Sequence, residues 1–167
     1  RVGDGTTTLN NAISLCPSTL KIPAQIVDGN QILKVTEIGS WAFYNCDSLT
    51  SVTIGSNVIS IGEYAFSDCD YLSFLTFEKG SVLENIGTRA FSWCSITSVE
   101  LPASVKIIGD GAFNSRGKLA SLVYCGSNII SNKIFCKMPP TVYVTNEYNG
   151  TEFGGAKAVF HPNICFV

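Results

Sequence analysis

The sequence predicts a repeat solenoid, a parallel sheet of short strands joined by mostly irregular return segments. Three observations carry this. The motif Ile-Gly-x-x-Ala-Phe recurs at Ile38, Ile61, Ile86 and Ile108. Its spacings are 23, 25 and 22 residues, a period at which each unit is too small to bury its own core and must stack on its neighbours. Each copy is followed by an apolar tail whose last two apolar positions lie two apart, as in a strand with one face buried.

The tails read Leu49…Val52…Ile54, Leu72…Leu75…Phe77, Ile96…Val99…Leu101 and Leu119…Leu122…Tyr124. Val, Thr, Ser and Phe crowd them, in line with strand preference, so each is expected to form a strand that stacks in parallel on its equivalents. Within the motif, Gly39, Gly62, Gly87 and Gly109 fall at one point of the cycle, where the chain needs either a positive φ or a close backbone approach. Phe43, Phe66, Phe91 and Phe113 should form an aromatic spine inside the coils. The long second spacing places its extra residues around Glu78-Lys79-Gly80, a polar turn, and the third cycle is one residue short after Cys94.

The 167 residues form one predicted domain, with a cap at 1–37, four clear repeats at 38–124, and a degenerate repeat and second cap at 125–167. In the first cap, Ser18 to Pro23 resembles a strand tail, and Asp28-Gly29 between apolar residues signals a hairpin over the open first coil. In the second, Ile134-Phe135 echoes the Ala-Phe pair, Val142-Tyr143-Val144 reads as a last strand, and residues 146–167 read as irregular. The chain begins at Arg1 without a Met, as expected of a processed or excised form.

Composition narrows function. Hydrophobic residues make up 46% and charged residues 14%, ample for a core, and the net charge of −2 gives no long-range attraction to nucleic acid or acidic membranes. No basic stripe with interleaved aromatics is present, and no apolar run approaches the roughly 20 residues of a membrane span.

The motif Ile-Gly-x-x-Ala-Phe-x-x-Cys-x-x-Leu-x-x-Val-x-Ile, clear over 38–124 and fainter out to about 20 and 144, resembles the BspA-type leucine-rich repeat of bacterial and protozoan surface proteins. The central copies keep the family's trailing proline only at Leu101-Pro102, and Arg116 replaces the fourth Cys. The resemblance implies a right-handed leucine-rich-repeat superhelix (α/β by class convention, β-rich in practice), no enzymatic activity and no cofactor. It also implies a cell-surface or secreted location and adhesion to a protein such as fibronectin or another matrix or host-surface protein. Membrane contact is expected only through parts outside this sequence. The alternative is a spacer or assembly repeat with no ligand of its own.

The chemical candidates are weaker. Cys46, Cys69 and Cys94 each follow the repeat Phe by three residues and are expected to be buried free thiols. Equivalent stacked Cβ atoms lie about 5 Å apart, beyond disulfide geometry. Cys16, Cys125, Cys136 and Cys165 fall outside this ladder and are available for pairing. There is no CxxC spacing to suggest zinc. His161, the single histidine, lies in the tail with no nucleophile elbow to serve and reads as a capping residue rather than a catalytic base. Asp68 and Asp70 read as a solvated loop. Asn149-Gly150-Thr151 is a lone glycosylation sequon.

The strand positions flanking each central apolar residue point outward. They are Thr19 and Lys21, Ser51 and Thr53, Phe74 and Thr76, Ser98 and Glu100, Ser121 and Val123, and Thr141 and Tyr143. This hydroxyl-rich, nearly uncharged face is the candidate binding surface, with Ser51, Thr53, Phe74, Thr76, Ser98, Glu100, Ser121, Val123 and Tyr143 as its contact residues. Exposed aromatics such as Phe74 and Tyr143 are frequent interface anchors. Ser and Thr on a strand also fill a solvated sheet by propensity alone.

Overall fold

The computed structural model describes residues 16–115, 117–135 and 138–161, together with the backbone of Thr6–Leu9. It is a solenoid of stacked coils with parallel strands and, among the described residues, no helix. Each predicted tail is a strand: β2 (Thr19–Ile22), β5 (Ser51–Ile54), β7 (Phe74–Phe77), β9 (Ser98–Leu101), β11 (Ser121–Tyr124) and β12 (Thr141–Val144). They pair in parallel with equivalent residues opposite one another, for example Val52 with Leu75 and Leu122 with Val142. The apolar member of each pair is buried and its neighbours face out, which is the alternation the tails encode.

The return segments are less irregular than expected. The Ile before each motif glycine lies in a second strand, with β4 (Gln31–Ile38), β6 (Ser60–Ile61), β8 (Asn85–Ile86) and β10 (Ile107–Ile108) forming a parallel ladder and β1 (Thr6–Leu9) beside β4. Its sequence signal was an apolar residue three positions before each Ile. Val58, Leu83 and Val105 are all buried completely. Between the ladders the spine is built as predicted. Phe43, Phe66, Phe91 and Phe113 stack with centroids 5.0, 5.3 and 5.5 Å apart and planes within 13°.

The motif glycines serve close approach, not positive φ. A Cβ on Gly62, Gly87 or Gly109 would lie 2.4 to 2.6 Å from a backbone nitrogen of the coil below. One set of left-handed residues comes two positions later, at Trp41 (φ 63°), Tyr64 (54°), Arg89 (53°) and Gly111 (65°), and a second comes six positions later, at Asn45 (57°), Asp68 (61°) and Trp93 (65°). That geometry turns each N–H toward the next coil. Trp41 donates to the Glu63 carbonyl, Tyr64 to Thr88, Arg89 to Asp110 and Gly111 to Lys133, at 2.9–3.0 Å. The local cost for a bulky residue there is about 1–3 kcal/mol, offset by a bond that would otherwise be missing.

At the N-terminal end, β3 (Gln25–Asp28) and β4 form the predicted hairpin about Gly29, which has φ 59°. The C-terminal end corrects the expectation of an irregular tail. β13 (Glu152–Phe153) and β14 (Ala156–Phe160) form a hairpin, and β14 pairs in parallel with β12. Gly154 and Gly155, both at positive φ, make that turn, while Tyr148, Phe153 and Ala156 close the core. Residues 162–167 lie outside the described set.

Two further corrections concern the cysteines and the sheet. Cys46 is not a free thiol. It is bonded to Cys16, whose Cα lies 5.5 Å away. Cys16 lies in the adjoining coil, leading into β2, but it stands three residues before Thr19 where Cys46 stands five before Ser51, the partner of Thr19. It is therefore out of register with Cys46, and the parallel-Cβ argument for equivalent positions does not reach it. Cys69 and Cys94 are free and buried, donating to the Phe43 and Phe66 carbonyls at 3.2 and 3.1 Å. The contact with Cys69 and burial together raise the Cys94 thiol well above its ordinary range, which makes it an inert core residue. Cys125 is disulfide-bonded; Cys136 and Cys165 lie outside the described residues.

The strand ladder is also not continuous. β2, β5 and β7 form one sheet, and β9, β11, β12, β14 and β13 another, with no ladder between β7 and β9. The reason lies in the chain between them. From Phe77 to Ile86 is two residues longer than from Ile54 to Ile61, and Cys94 to Val99 is one shorter than Cys69 to Leu75. Moreover, Glu78 N–H donates to the Ile54 carbonyl at 2.9 Å, whereas the residue in the same place one coil on is Pro102, which has no N–H to offer Phe77.

Candidate functional site

The outward strand positions fall into two columns across the sheets. The first runs Thr19, Ser51, Phe74, then Ser98, Ser121, Thr141; the second runs Lys21, Thr53, Thr76, then Glu100, Val123, Tyr143. Parallel register brings them together without any designed turn, because equivalent residues of successive coils stand side by side. Phe74, Thr76, Ser98 and Glu100 are exposed, while Ser51, Thr53, Ser121, Val123 and Tyr143 are half-buried by their neighbours. Phe74, at 67% exposure, is the prominent apolar group. The hydroxyls are partly self-satisfied. Thr53 and Thr76 share a bond of 3.0 Å, and Thr76 also reaches the Val52 carbonyl at 3.4 Å.

The electrostatics are local. Lys21 reaches across to Glu78 at 3.1 Å, and Glu78 also accepts the Ser56 N–H at 3.1 Å. The Lys21 hydrogen bond, then that of Ser56, holds the Glu78 carboxyl below its ordinary value against a small opposing desolvation. The face otherwise carries Glu100 and little charge. Among the described residues no group of three His, Cys, Asp or Glu is placed to hold a metal. His161 packs its ring edge-on to Tyr143 at 6.4 Å, and its backbone N–H donates to the Val144 carbonyl; the residue that extends the second column is Val159, opposite Tyr143 in the register. Asp68 accepts from Ser67, itself bonded to Ser92, and Asp70 is exposed, which is a structured turn and a solvated one. Asn149 is exposed.

A second feature lies on the turn edge and was hidden in the variable motif positions. Trp41 stacks on Tyr64 with centroids 4.1 Å apart and planes 7° apart, Tyr44 meets Trp41 edge-on at 5.0 Å, and Arg89 lies over Tyr64 and donates to its hydroxyl at 2.9 Å. Trp41 and Tyr44 nevertheless remain about half exposed, at 48% and 46%, and Trp41, Tyr64 and Arg89 follow the left-handed positions of successive coils.

Taken together, the coils, the spine and the outward columns define a leucine-rich-repeat β-solenoid. The profile of the BspA type leucine-rich repeat region matches residues 36–157 in six copies, and the chain belongs to that family. Solved structures agree. A leucine-rich repeat protein from Bacteroides capillosus is 35% identical over 61% of this chain and 75% of its own, with a TM-score of 0.53. The pneumococcal vaccine antigen PcpA is 26% identical over 89% of this chain and 42% of its own, with a TM-score of 0.57. A leucine rich cell surface protein from Faecalibacterium prausnitzii shares the fold at 21% identity, covering 95% of this chain and 50% of its own, with a TM-score of 0.51. Among curated proteins no sequence matches the chain. No helix among the described residues is long and apolar enough to cross a membrane.

Proposed function

We propose that the chain is a non-enzymatic protein-binding module of a secreted or cell-surface protein, engaging a matrix or host-cell protein such as fibronectin through its strand face. The observation that carries this is Phe74, a large apolar ring exposed on a rigid, nearly uncharged sheet with hydroxyls on both sides. A rigid face loses little conformational entropy on binding, and a few aromatic anchors can supply most of the affinity. One structural neighbour is a vaccine antigen and another a cell surface protein, which supports the extracellular setting. The test is capture of the purified domain by immobilised matrix proteins, fibronectin included, beside a Phe74→Ala, Glu100→Gln, Tyr143→Ala triple variant. Saturable capture that the variant loses by tenfold or more while keeping its circular dichroism is the expected result. Capture unchanged in the variant removes the strand face from the reading, and no capture by the intact domain removes the matrix-protein target.

A further inference from the structure

The turn between β12 and β13 carries Asn149-Gly150, the one Asn-Gly pair of the chain. Asn149 is exposed, and among the described residues neither Asn149 nor Gly150 takes part in a hydrogen bond. Both flanks of the pair are anchored. Tyr148 is buried, its N–H donates to the Thr145 carbonyl at 3.1 Å, and its hydroxyl donates to the Glu152 carbonyl across the turn. Beyond the pair, the Thr151 carbonyl accepts the Ala158 N–H at 3.0 Å. A Cβ on Gly150 would lie 2.8 Å from the Tyr148 ring and hydroxyl, so this position is glycine because the ring leaves space for nothing larger. The packing of the cap thereby leaves the Gly150 nitrogen without the side chain that would shield it from the Asn149 amide. Asn30, Asn45 and Asn146 are exposed too, but Gln31, Cys46 and Glu147 follow them.

We propose that Asn149 is a site of spontaneous covalent modification, converting to aspartate and isoaspartate, and that the isoaspartyl form loosens the C-terminal cap. The Gly150 nitrogen gives up its proton to solvent and bonds to Asn149 Cγ. The bond from Cγ to Nδ2 breaks, and Nδ2 takes a proton from solvent and leaves as ammonia. Water then opens the resulting succinimide at one of its two carbonyls. Opening at Cγ gives aspartate; opening at the main-chain carbonyl gives isoaspartate, in which the main chain runs through Cβ and Cγ and is one methylene longer. Nothing is oxidised or reduced, and water is the only reagent consumed. Either product adds a negative charge, a change of the kind other covalent modifications make. The extra methylene enters at the link to Gly150, which lies against Tyr148 at closest approach, and a close-packed site does not absorb an added main-chain atom. Tyr148 in turn meets Tyr124 and Phe153 at 6.0 and 5.9 Å, so a shift of its ring reaches the last coil.

The test is incubation of the folded, unglycosylated chain in mildly alkaline buffer, followed by peptide mapping that separates aspartyl from isoaspartyl products by chromatography and mass spectrometry. The expected result is conversion at Asn149 at least tenfold faster than at Asn30, Asn45 or Asn146, with both products present. The rate should rise with pH, because the attacking nitrogen must first lose its proton. Asn149→Gln, at an exposed position, is expected to abolish the conversion with the circular dichroism unchanged. The isoaspartyl fraction is expected to unfold at lower urea than the untreated chain. Asn149→Asp, which carries the charge without the added methylene, is expected to unfold with the untreated chain. Conversion in the urea-unfolded chain but not in the folded one, or conversion no faster at Asn149 than at the other three asparagines, overturns the site. An isoaspartyl chain that keeps the untreated midpoint overturns the loosening of the cap. Asn149→Asp unfolding as early as the isoaspartyl chain overturns the role given to main-chain length.

Discussion

Single positions in this chain divide sharply into those that hold the stack and those that are free of it. Phe66 lies fully buried between Phe43 and Phe91, each about one coil away. Truncation to Ala removes ring contacts on both sides at once, and the repeat cannot collapse around the void because both neighbours are fixed by their own coils. Phe66→Ala should therefore cost about 3–5 kcal/mol in urea unfolding, with an unchanged m-value. Phe74→Ala, on the open face, should stay within about 0.5 kcal/mol. A large loss at Phe74 would mean that its exposure is illusory. Both residues were legible as sequence, since one repeats in every motif and the other stands where the tail pattern expects a side chain to point outward. The left-handed residues were not, because Trp41, Tyr64 and Arg89 share no chemistry. Their common property is a backbone bond to the next coil, and nothing in side-chain type reports that.

Among the elements, the junction of the first coil with the rest rests on two ties of different kinds. The Cys16–Cys46 bond closes a loop of 30 residues, for which chain-entropy arguments give about 3–4 kcal/mol. Replacing Cys16 and Cys46 together by Ser should lower the unfolding midpoint accordingly. Cys69 and Cys94 should react with a thiol reagent only after unfolding, so native labelling before and after reduction separates the two classes. The second tie is Lys21 of β2 with Glu78 beyond β7, which spans β5 between them. The Glu78 pKa is lowered by folding from its ordinary 4.5, so its contribution is complete above that value and disappears as pH falls through the folded pKa. Lys21 is largely exposed, which limits the pair to at most about 1 kcal/mol. Glu78→Gln should then be slightly less stable than the parent at pH 7, with the difference vanishing in acid. A gap that widens in acid would contradict the assignment. The disulfide partner of Cys46 was out of reach in the sequence because spacing along a chain says nothing about which segment returns beside it.

At the scale of the molecule the two strand ladders differ in continuity, and this sets where the solenoid opens. The ladder through β4, β6, β8 and β10 and the phenylalanine spine both pass from the third coil to the fourth, so the halves remain one body. The ladder on the binding face does not pass. Stability in a stack of coils is close to a sum of unit and nearest-neighbour terms, and the interface that lacks a hydrogen-bonded ladder is the weakest term. The repeat motif made the architecture readable, because identical units must meet their neighbours identically. The break is the place where units are not identical, and it was recorded only as an inserted turn, a shortened cycle and one proline whose joint effect needs three dimensions. Amide hydrogen exchange reads the consequence directly. Ser98 and Glu100 aim their N–H groups at β7, with no ladder to receive them, while Ser121 and Val123, their equivalents one coil on, aim theirs at β9 in an intact ladder. Exchange follows the free energy of the opening that exposes each amide. Under native conditions Ser98 and Glu100 should exchange at least about tenfold faster than Ser121 and Val123, a difference of about 1.4 kcal/mol or more. Deleting Lys79 and Gly80, which restores the 23-residue spacing, should slow Ser98 and Glu100 toward the rates of their equivalents. Equal protection at the four positions in the parent chain would mean that the two sheets are joined in solution and that the weak interface does not exist.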